Sequence, residues 1–144
     1  MDGAARGNPG PASYGVRIVA PGGGILAELC APLGETTNNV AEYRALLAAL
    51  EWAEAHGAGP LEVFTDSLLL ANQIRGVWKV RDPKLRGLYL EARGLISRLA
   101  SFSIRHVPRE ENREADRLAN RALDEERGRG AAPAPPAGQR GLWE

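Results

Sequence analysis

The stretch Asn39-Val40-Ala41-Glu42-Tyr43-Arg44-Ala45-Leu46-Leu47-Ala48-Ala49-Leu50 decides how the chain is organised. Its apolar residues recur every three or four positions, which predicts one long amphipathic helix with a buried stripe. Glu42 lies four residues before Leu46 and therefore projects toward the buried side. Two interpretations are open. Glu42 completes a capping box with Asn39 as N-cap, or it faces a metal ion, because an unpaired buried carboxylate is costly.

Length and composition predict a soluble globular protein with one domain and at most a tail. The chain has 144 residues, of which 44% are hydrophobic and 25% charged, and this is ordinary for a globular domain. Eighteen basic and eighteen acidic side chains cancel, so any nucleic-acid binding must use a local patch. Cys30 is the single cysteine, which excludes an internal disulfide. Without a signal peptide or a long apolar run, we expect a cytoplasmic monomer that does not bind membranes.

Strands and helices are predicted on both sides of the central helix. The expected elements are a hairpin of Tyr14–Ala20 and Ile25–Leu33 with a Pro21–Gly24 turn, a buried strand at Leu61–Thr65, a helix from Leu68, a helix at Leu85–Leu99, a strand at Ser101–Val107 and a last helix at Asn112–Asp124. After Glu126 the composition shifts to Gly, Ala, Pro and Arg. This shift predicts a domain of residues 1–127 and a disordered tail of residues 128–144.

Four acidic residues stand on separate predicted elements, namely Asp2, Glu42, Asp66 and Asp116. Each has a structural explanation of its own; Asp66, for example, stands where an N-cap belongs. The carboxyl end of a central strand is, however, also where open α/β sheets bind ligands. Carboxylates without Cys or paired His suit Mg²⁺ or Mn²⁺. Two such ions about 3.5–4 Å apart would clamp a scissile phosphate.

A second candidate feature is the loop Gly76–Lys84, which interleaves basic and aromatic residues. It is either a solvated connection anchored by Trp78, or a handle in which Trp78 and Lys79 contact a nucleic-acid backbone. The loop alone favours the first interpretation.

Four motifs, in order along the chain, resemble ribonuclease H of type 1, in the compact bacterial and archaeal form that lacks a basic protrusion. They cover residues 1 to about 125, and each contains one of the four acids. The motifs are Asp2-Gly3-Ala4-Ala5-Arg6-Gly7-Asn8-Pro9-Gly10-Pro11, Thr36-Thr37-Asn38-Asn39-Val40-Ala41-Glu42, Phe64-Thr65-Asp66-Ser67 and Val107-Pro108-Arg109-Glu110-Glu111-Asn112-Arg113-Glu114-Ala115-Asp116-Arg117-Leu118-Ala119-Asn120.

The resemblance implies a ribonuclease H-like α/β fold, with a five-stranded mixed sheet, its first three strands antiparallel, and helices on both faces. It also implies endonucleolytic hydrolysis of the RNA strand of RNA–DNA hybrids, leaving a 5′-phosphate and a 3′-hydroxyl. Asp2 would bridge two Mg²⁺ or Mn²⁺ ions, and Asp116 would complete the site of the ion that activates water. Glu42 and Asp66 would hold the ion at the leaving oxygen, so all four acids are expected catalytic residues and metal ligands.

The implied partner is an RNA–DNA hybrid, with double-stranded RNA as a second candidate. The expected nucleic-acid contacts are Gly3, Ala4, Ala5, Asn8, Thr37, Asn38, Asn39, Trp78, Lys79 and Arg109. Arg109 would replace a His that many relatives carry before the last helix. An alternative is a hybrid- or double-stranded-RNA-binding module with weak or lost catalysis, because only Met1 precedes Asp2 where the family has several strand residues. A third interpretation is a structural domain that holds partners through its tail.

Overall fold

The computed structural model describes residues 1–57 and 59–131. Strands and helices follow one another along this part of the chain in the predicted order, and a 3₁₀ turn at Arg109–Glu111 precedes the last helix. The elements are β1 (Asp2–Ala5), β2 (Gly10–Val19), β3 (Ile25–Thr36), α1 (Asn38–Ala55), β4 (Pro60–Thr65), α2 (Leu68–Ile74), α3 (Pro83–Ile96), β5 (Ser101–His106) and α4 (Arg113–Ala131).

The five strands form a three-stranded set and a two-stranded set, which meet at the start of the chain. β1, β2 and β3 pair antiparallel, whereas β4 and β5 pair in parallel. The amino nitrogen of Met1 donates a hydrogen bond of 3.0 Å to the carbonyl of Phe64 and so links β1 with β4. β1 therefore lies between β2 and β4 in a mixed arrangement. The predicted hairpin turn is confirmed by the 2.7 Å bond from the Ala20 N–H to the Gly24 carbonyl.

Helices cover both faces of the antiparallel strands, and two glycines show why they can approach so closely. Gly3 pairs with Tyr14, and Gly15 pairs with Asp2, so the two glycines face opposite sides of the sheet. A Cβ at Gly3 would collide with the backbone of α1, and one at Gly15 would collide with the backbone of α4. Only glycine at these two positions lets both helices touch the sheet.

The core lies between the sheet and α1, and it contains the apolar stripe that the sequence predicts. Tyr43, Leu46 and Leu50 of α1 are almost completely buried. α3 packs against the outer side of α1 through Leu85 and Leu88, which are also buried. Since this stripe faces the sheet along the whole length of α1, burial of apolar area explains why the helix forms here.

Several helix ends differ from the predicted ones. α3 spans Pro83–Ile96 rather than Leu85–Leu99, and α4 begins at Arg113 rather than Asn112. The N-cap of α1 is Thr37, whose hydroxyl accepts the Val40 N–H at 3.3 Å, so the predicted capping role of Asn39 is wrong. α4 continues to Ala131, four residues into the predicted tail, while residues 132–144 lie outside the described part of the chain. Among residues 1–57 and 59–131, no helix combines the length and the apolar character needed to cross a bilayer.

Candidate active site

Three carboxylates from three different elements converge at the carboxyl end of β4. Asp2 is the first residue of β1, Glu42 lies near the start of α1, and Asp66 follows the last residue of β4. One oxygen of each lies within 4.8 Å of the others. Asp2 is 5% exposed and Glu42 only 2%. They meet because β1 lies beside β4 and because Gly3 lets the start of α1 approach β1 closely.

Glu42 is held by hydrogen bonds from two strands. The Gly3 N–H donates to Oε1 at 2.5 Å, and the Thr65 hydroxyl donates to Oε2 at 3.3 Å. Thr65 is fully buried, and its hydroxyl also accepts the Ser67 N–H at 3.0 Å. Both carboxylate oxygens thus bind groups outside α1, so the capping-box interpretation of Glu42 is wrong.

Asp66 is not a helix cap either. The N-cap of α2 is Ser67, whose hydroxyl accepts the Leu70 N–H at 3.1 Å. The Asp66 side chain, 14% exposed, instead lies 3.7 Å from the guanidinium of Arg109, measured from Oδ2 to Nε. Because Arg109 is 85% exposed, this ion pair contributes little stability. It does place a positive charge at the edge of the carboxylate cluster.

The buried environment of the cluster disfavours ionisation of its carboxyl groups. Burial, and then the charge of Glu42, raises the pKa of Asp2 to about 10. Burial likewise raises the pKa of Glu42 to about 7, although the Gly3 N–H opposes this shift. Carboxylates that are buried close together resist ionising together, and a divalent cation between them would remove that penalty.

Asp116 lies next to this cluster but is not one of the three converging residues. It is half-buried in the first turn of α4, and a hydrogen bond between its side chain and that of Asp2 is a further cause of the raised pKa of Asp2. The structure thus brings three of the four predicted acids together and places the fourth beside Asp2. All the donors are carboxylate oxygens, which suit hard divalent cations.

The predicted nucleic-acid contacts fall into two groups. In the first group, the Asn38 N–H donates to Oδ1 of Asn8 at 3.0 Å, so the β1–β2 loop lies against the start of α1. Asn8, Asn38 and Asn39 are exposed there, and Thr37, Ala4 and Ala5 are half-buried. Gly3 is buried, and its N–H donates to Glu42. The contact predicted between Gly3 and nucleic acid stays a prediction.

The second group, Trp78 and Lys79, lies on the loop between α2 and α3. Trp78 is 43% exposed, and Lys79 is exposed. The carbonyl of Asn72 accepts the N–H groups of Val77 at 2.9 Å and Trp78 at 3.1 Å. The backbone of this loop is therefore fixed while its aromatic and basic side chains face solvent, an arrangement that fits a surface contact better than a core anchor.

Thr65 is a residue of the site that the sequence analysis missed. It connects Glu42 to the turn that contains Asp66 and Ser67. The alternation of Leu61, Val63 and Thr65 along β4 could have indicated an inward-facing hydroxyl directly before Asp66. Its partner could not have been found this way, because Glu42 belongs to a different element.

Known proteins share both sequence and fold with this chain. A family model described as "Reverse transcriptase-like" matches residues 1–122. Ribonuclease HI of Halobacterium salinarum is 49% identical over 125 residues, which are 87% of this chain and 63% of that protein. A bifunctional protein of Mycobacterium tuberculosis is 46% identical over 94% of this chain and 38% of its own length. The chain thus spans less than two thirds of either relative.

Two solved structures match this chain over nearly their whole length. The Halobacterium salinarum RNase H1 structure has a TM-score of 0.83 at 49% identity and covers 86% of this chain and 94% of that one. LC11-RNase H1, solved in complex with an RNA/DNA hybrid, has a TM-score of 0.83 at 42% identity over 87% and 94% of the two chains. Motifs, fold and comparisons agree, and the chain belongs to the type 1 branch of the ribonuclease H family.

Proposed function

We propose that this chain is an endoribonuclease that hydrolyses the RNA strand of RNA–DNA hybrids, leaving 5′-phosphate and 3′-hydroxyl ends. The observation that carries the proposal is the convergence of Asp2, Glu42 and Asp66 within 4.8 Å on a fold of the ribonuclease H family. The three acids are buried or half-buried, and the pKa values of Asp2 and Glu42 are raised. Ionising all three without a cation is therefore unfavourable. They are suited to phosphoryl chemistry in which the protein supplies no nucleophile.

The proposed cofactor is Mg²⁺ or Mn²⁺, two ions per site, held by the four acids. Asp2 lies beside both Glu42 and Asp116 and would hold the ions together with these two acids and Asp66. Bound ions of this kind activate water and offset the charge that develops on a phosphate. The chain's own contribution is orientation: Gly3 and Thr65 hold both oxygens of Glu42.

The exposed and half-buried residues around the cluster are the proposed substrate contacts. Asn8, Thr37, Asn38 and Asn39 would bind the hybrid beside the carboxylates, with the backbone of Ala4 and Ala5. Arg109 would approach the scissile phosphate from the edge of the cluster, where it lies 3.7 Å from Asp66. Trp78 and Lys79 would contact the hybrid elsewhere.

The proposal also covers the cellular compartment, the oligomeric state and a second substrate. We place it in the cytoplasm as a monomer, with double-stranded RNA as a second substrate. The free thiol of Cys30 fits a reducing compartment. Sedimentation of the pure protein would show whether it is a monomer. Cleavage assays that include a double-stranded RNA substrate would test the second substrate.

The decisive experiment replaces Asp66 by Asn. Asp66 does not cap α2, so Asp66→Asn should leave the melting temperature nearly unchanged, yet lower the rate of hybrid cleavage in Mg²⁺ by at least about 10²–10³. Asp82→Asn is the matched control. Asp82 is the exposed N-cap of α3 and accepts the Lys84 N–H at 2.8 Å, a role that Asn also performs well.

Two outcomes would contradict the proposal. Cleavage by Asp66→Asn at the wild-type rate would remove Asp66 from the site. Hybrid binding without cleavage by the wild-type protein, in either Mg²⁺ or Mn²⁺, would support the binding module instead. Excess chelator should stop the reaction, since the proposed site contains only hard oxygen ligands.

A further inference from the structure

Gln73 is a buried polar residue outside the carboxylate cluster, and it lies between α1 and the loop that carries Trp78 and Lys79. It belongs to α2 and is 6% exposed. Its Oε1 accepts a hydrogen bond of 2.7 Å from the hydroxyl of Tyr43, and its Nε2 donates one of 3.4 Å to the carbonyl of Lys79. One side-chain amide therefore joins a core residue of α1 to the backbone of a surface loop.

The chemistry of the two partners fixes the orientation of this amide. A backbone carbonyl can only accept, so the NH₂ group of Gln73 faces Lys79 and the amide oxygen faces Tyr43. Tyr43 is fully buried, and burial raises the pKa of its hydroxyl, which therefore stays protonated and donates. Because a buried polar group that loses its partner is costly, the two bonds together hold the loop against α1.

The loop has few other restraints. Gly76, with a φ of 81°, turns the chain after α2, and the carbonyl of Asn72 accepts two N–H groups from the first half of the loop. Val80 is buried at the other end. In the described part of the chain, Gln73 supplies the one side-chain hydrogen bond to the backbone of residues 76–81. Losing that bond would free the middle of the loop, which carries the two exposed side chains.

The two helices that Gln73 connects both start at the carboxylate cluster. α2 begins two residues after Asp66. Seven residues separate Asp66 from Gln73, which is roughly 10 Å along a helix at 1.5 Å per residue. Tyr43 directly follows Glu42 in α1. The loop is thus held at a set distance from the acids through both helices.

We propose that Gln73 is a positioning residue for substrate binding: its amide ties the loop to Tyr43 and so presents Trp78 and Lys79 to the RNA–DNA hybrid at a fixed distance from the carboxylates. This inference rests on the proposed function, because it assigns the loop to the same hybrid. Gln73 itself does not touch the substrate. It acts before binding, since a loop that is already ordered loses less conformational entropy when the hybrid arrives.

The test removes the link in two steps. Gln73→Met nearly keeps the length of the side chain but leaves the Lys79 carbonyl and the Tyr43 hydroxyl without their partner. Adding Tyr43→Phe removes that hydroxyl, so the double variant should regain part of the melting temperature that Gln73→Met loses. Ser13→Ala is the matched control, since the buried hydroxyl of Ser13 donates to the Ala119 carbonyl where α4 packs on β2.

Affinity for a fluorescein-labelled RNA–DNA hybrid would be measured by anisotropy in excess chelator, which stops the proposed cleavage. Gln73→Met should bind the hybrid about tenfold more weakly than wild type, which corresponds to ordering one further backbone residue on binding. The double variant should bind as weakly as Gln73→Met, and Ser13→Ala should bind like wild type. In Mg²⁺, Gln73→Met should raise KM about tenfold and leave kcat unchanged, the pattern of lost substrate binding.

Hydrogen exchange reports on the loop without any substrate. The N–H groups of Val77 and Trp78 both donate to the Asn72 carbonyl. They should exchange about tenfold faster in Gln73→Met than in Ser13→Ala, because only the first variant frees the loop locally. Exchange in α3 should be equal in the two variants once it is corrected for their global stability.

Three outcomes would overturn the inference. The first is wild-type hybrid affinity in Gln73→Met. The second is recovery of affinity together with stability in the double variant, because Gln73 would then act through stability alone. The third is wild-type affinity in both Trp78→Ala and Lys79→Ala, since the loop would then not contact the hybrid. A wild-type chain that binds the hybrid without cleaving it would contradict the proposed function, and the affinity comparison would still decide the role of Gln73.

Discussion

The hydroxyl of Thr65 offers a sharp test of how the site is held in place. Thr65→Val keeps the shape of the side chain but removes both of its hydrogen bonds, the one donated to Glu42 and the one accepted from the Ser67 N–H. Thr65→Ser keeps the hydroxyl and removes only a methyl group. Comparing the two variants therefore separates hydrogen bonding from packing.

The expected loss follows from the two contacts. A hydrogen bond to a charged group contributes about 1.5–3 kcal/mol, and the lower value applies because the 3.3 Å distance to Glu42 is long. Leaving the part-buried Ser67 N–H without its partner costs about 1 kcal/mol more. Thr65→Val should thus lower the free energy of unfolding by about 2–3 kcal/mol, and Thr65→Ser by about 1 kcal/mol for the lost methyl.

The assay pairs urea unfolding with calorimetric titration of Mn²⁺. Glu42 loses one of its two restraints in Thr65→Val, so we expect this variant to bind Mn²⁺ about tenfold more weakly, whereas Thr65→Ser should remain within twofold of wild type. Thr36→Val is the matched control, because the buried hydroxyl of Thr36 has no hydrogen-bond partner among the described residues. That control should be neutral or stabilising. Wild-type Mn²⁺ affinity in Thr65→Val, or equal losses in Thr65→Val and Thr65→Ser, would refute the reasoning.

Three further predictions follow from the site and its charge. In metal-free buffer the pKa of Glu42 is about 7 in the folded state, compared with 4.5 for an ordinary Glu side chain. The stabilisation from this group, about 3 kcal/mol, is therefore present at low pH and lost as pH rises between these values. In urea titrations Glu42→Gln should remove the part of this slope that Glu42 contributes, while the part due to Asp2, whose pKa is also raised, remains; Glu51→Gln should leave the slope unchanged. Gly3→Ala should destabilise the fold by more than about 2 kcal/mol in the same titrations, since its Cβ would collide with the backbone of Ala41, while Gly22→Ala, in open space, should be nearly neutral. Hybrid affinity should depend shallowly on salt, with a log–log slope of roughly −3, because the net charge is zero and the Gly76–Lys84 loop offers three cations, Lys79, Arg81 and Lys84. A much steeper slope would show that a further basic patch binds the hybrid.

Patterns within one element were predictable from the sequence. The apolar period of α1 and the Pro21–Gly24 turn depend on nearby residues, and both are found as predicted. The family motifs also pointed to all four acids. By contrast, Thr37 and Asn39 are both good N-caps, so local preference could not decide which of them begins α1.

Contacts between distant elements were not predictable. The Gly3 N–H and the Thr65 hydroxyl reach Glu42 only because β1 and β4 lie on either side of it, and no local rule connects these three residues. The length of α4 was underestimated because the composition shifts to Gly, Ala, Pro and Arg after Glu126. The helix nevertheless continues, with support from pairs such as Arg121 and Glu125 at 3.7 Å.

The length of α4 has a practical consequence for attaching the protein to a solid support. The last buried residue in its described part is Leu123, so the residues after it extend beyond the packed region. Asp116 lies in the first turn and Ala131 is the final residue, which separates them by roughly 22 Å along the axis at 1.5 Å per residue. A tether fused directly after Ala131 would therefore attach the domain at the end of α4 that lies far from Asp116, and so keep the carboxylate cluster away from the support.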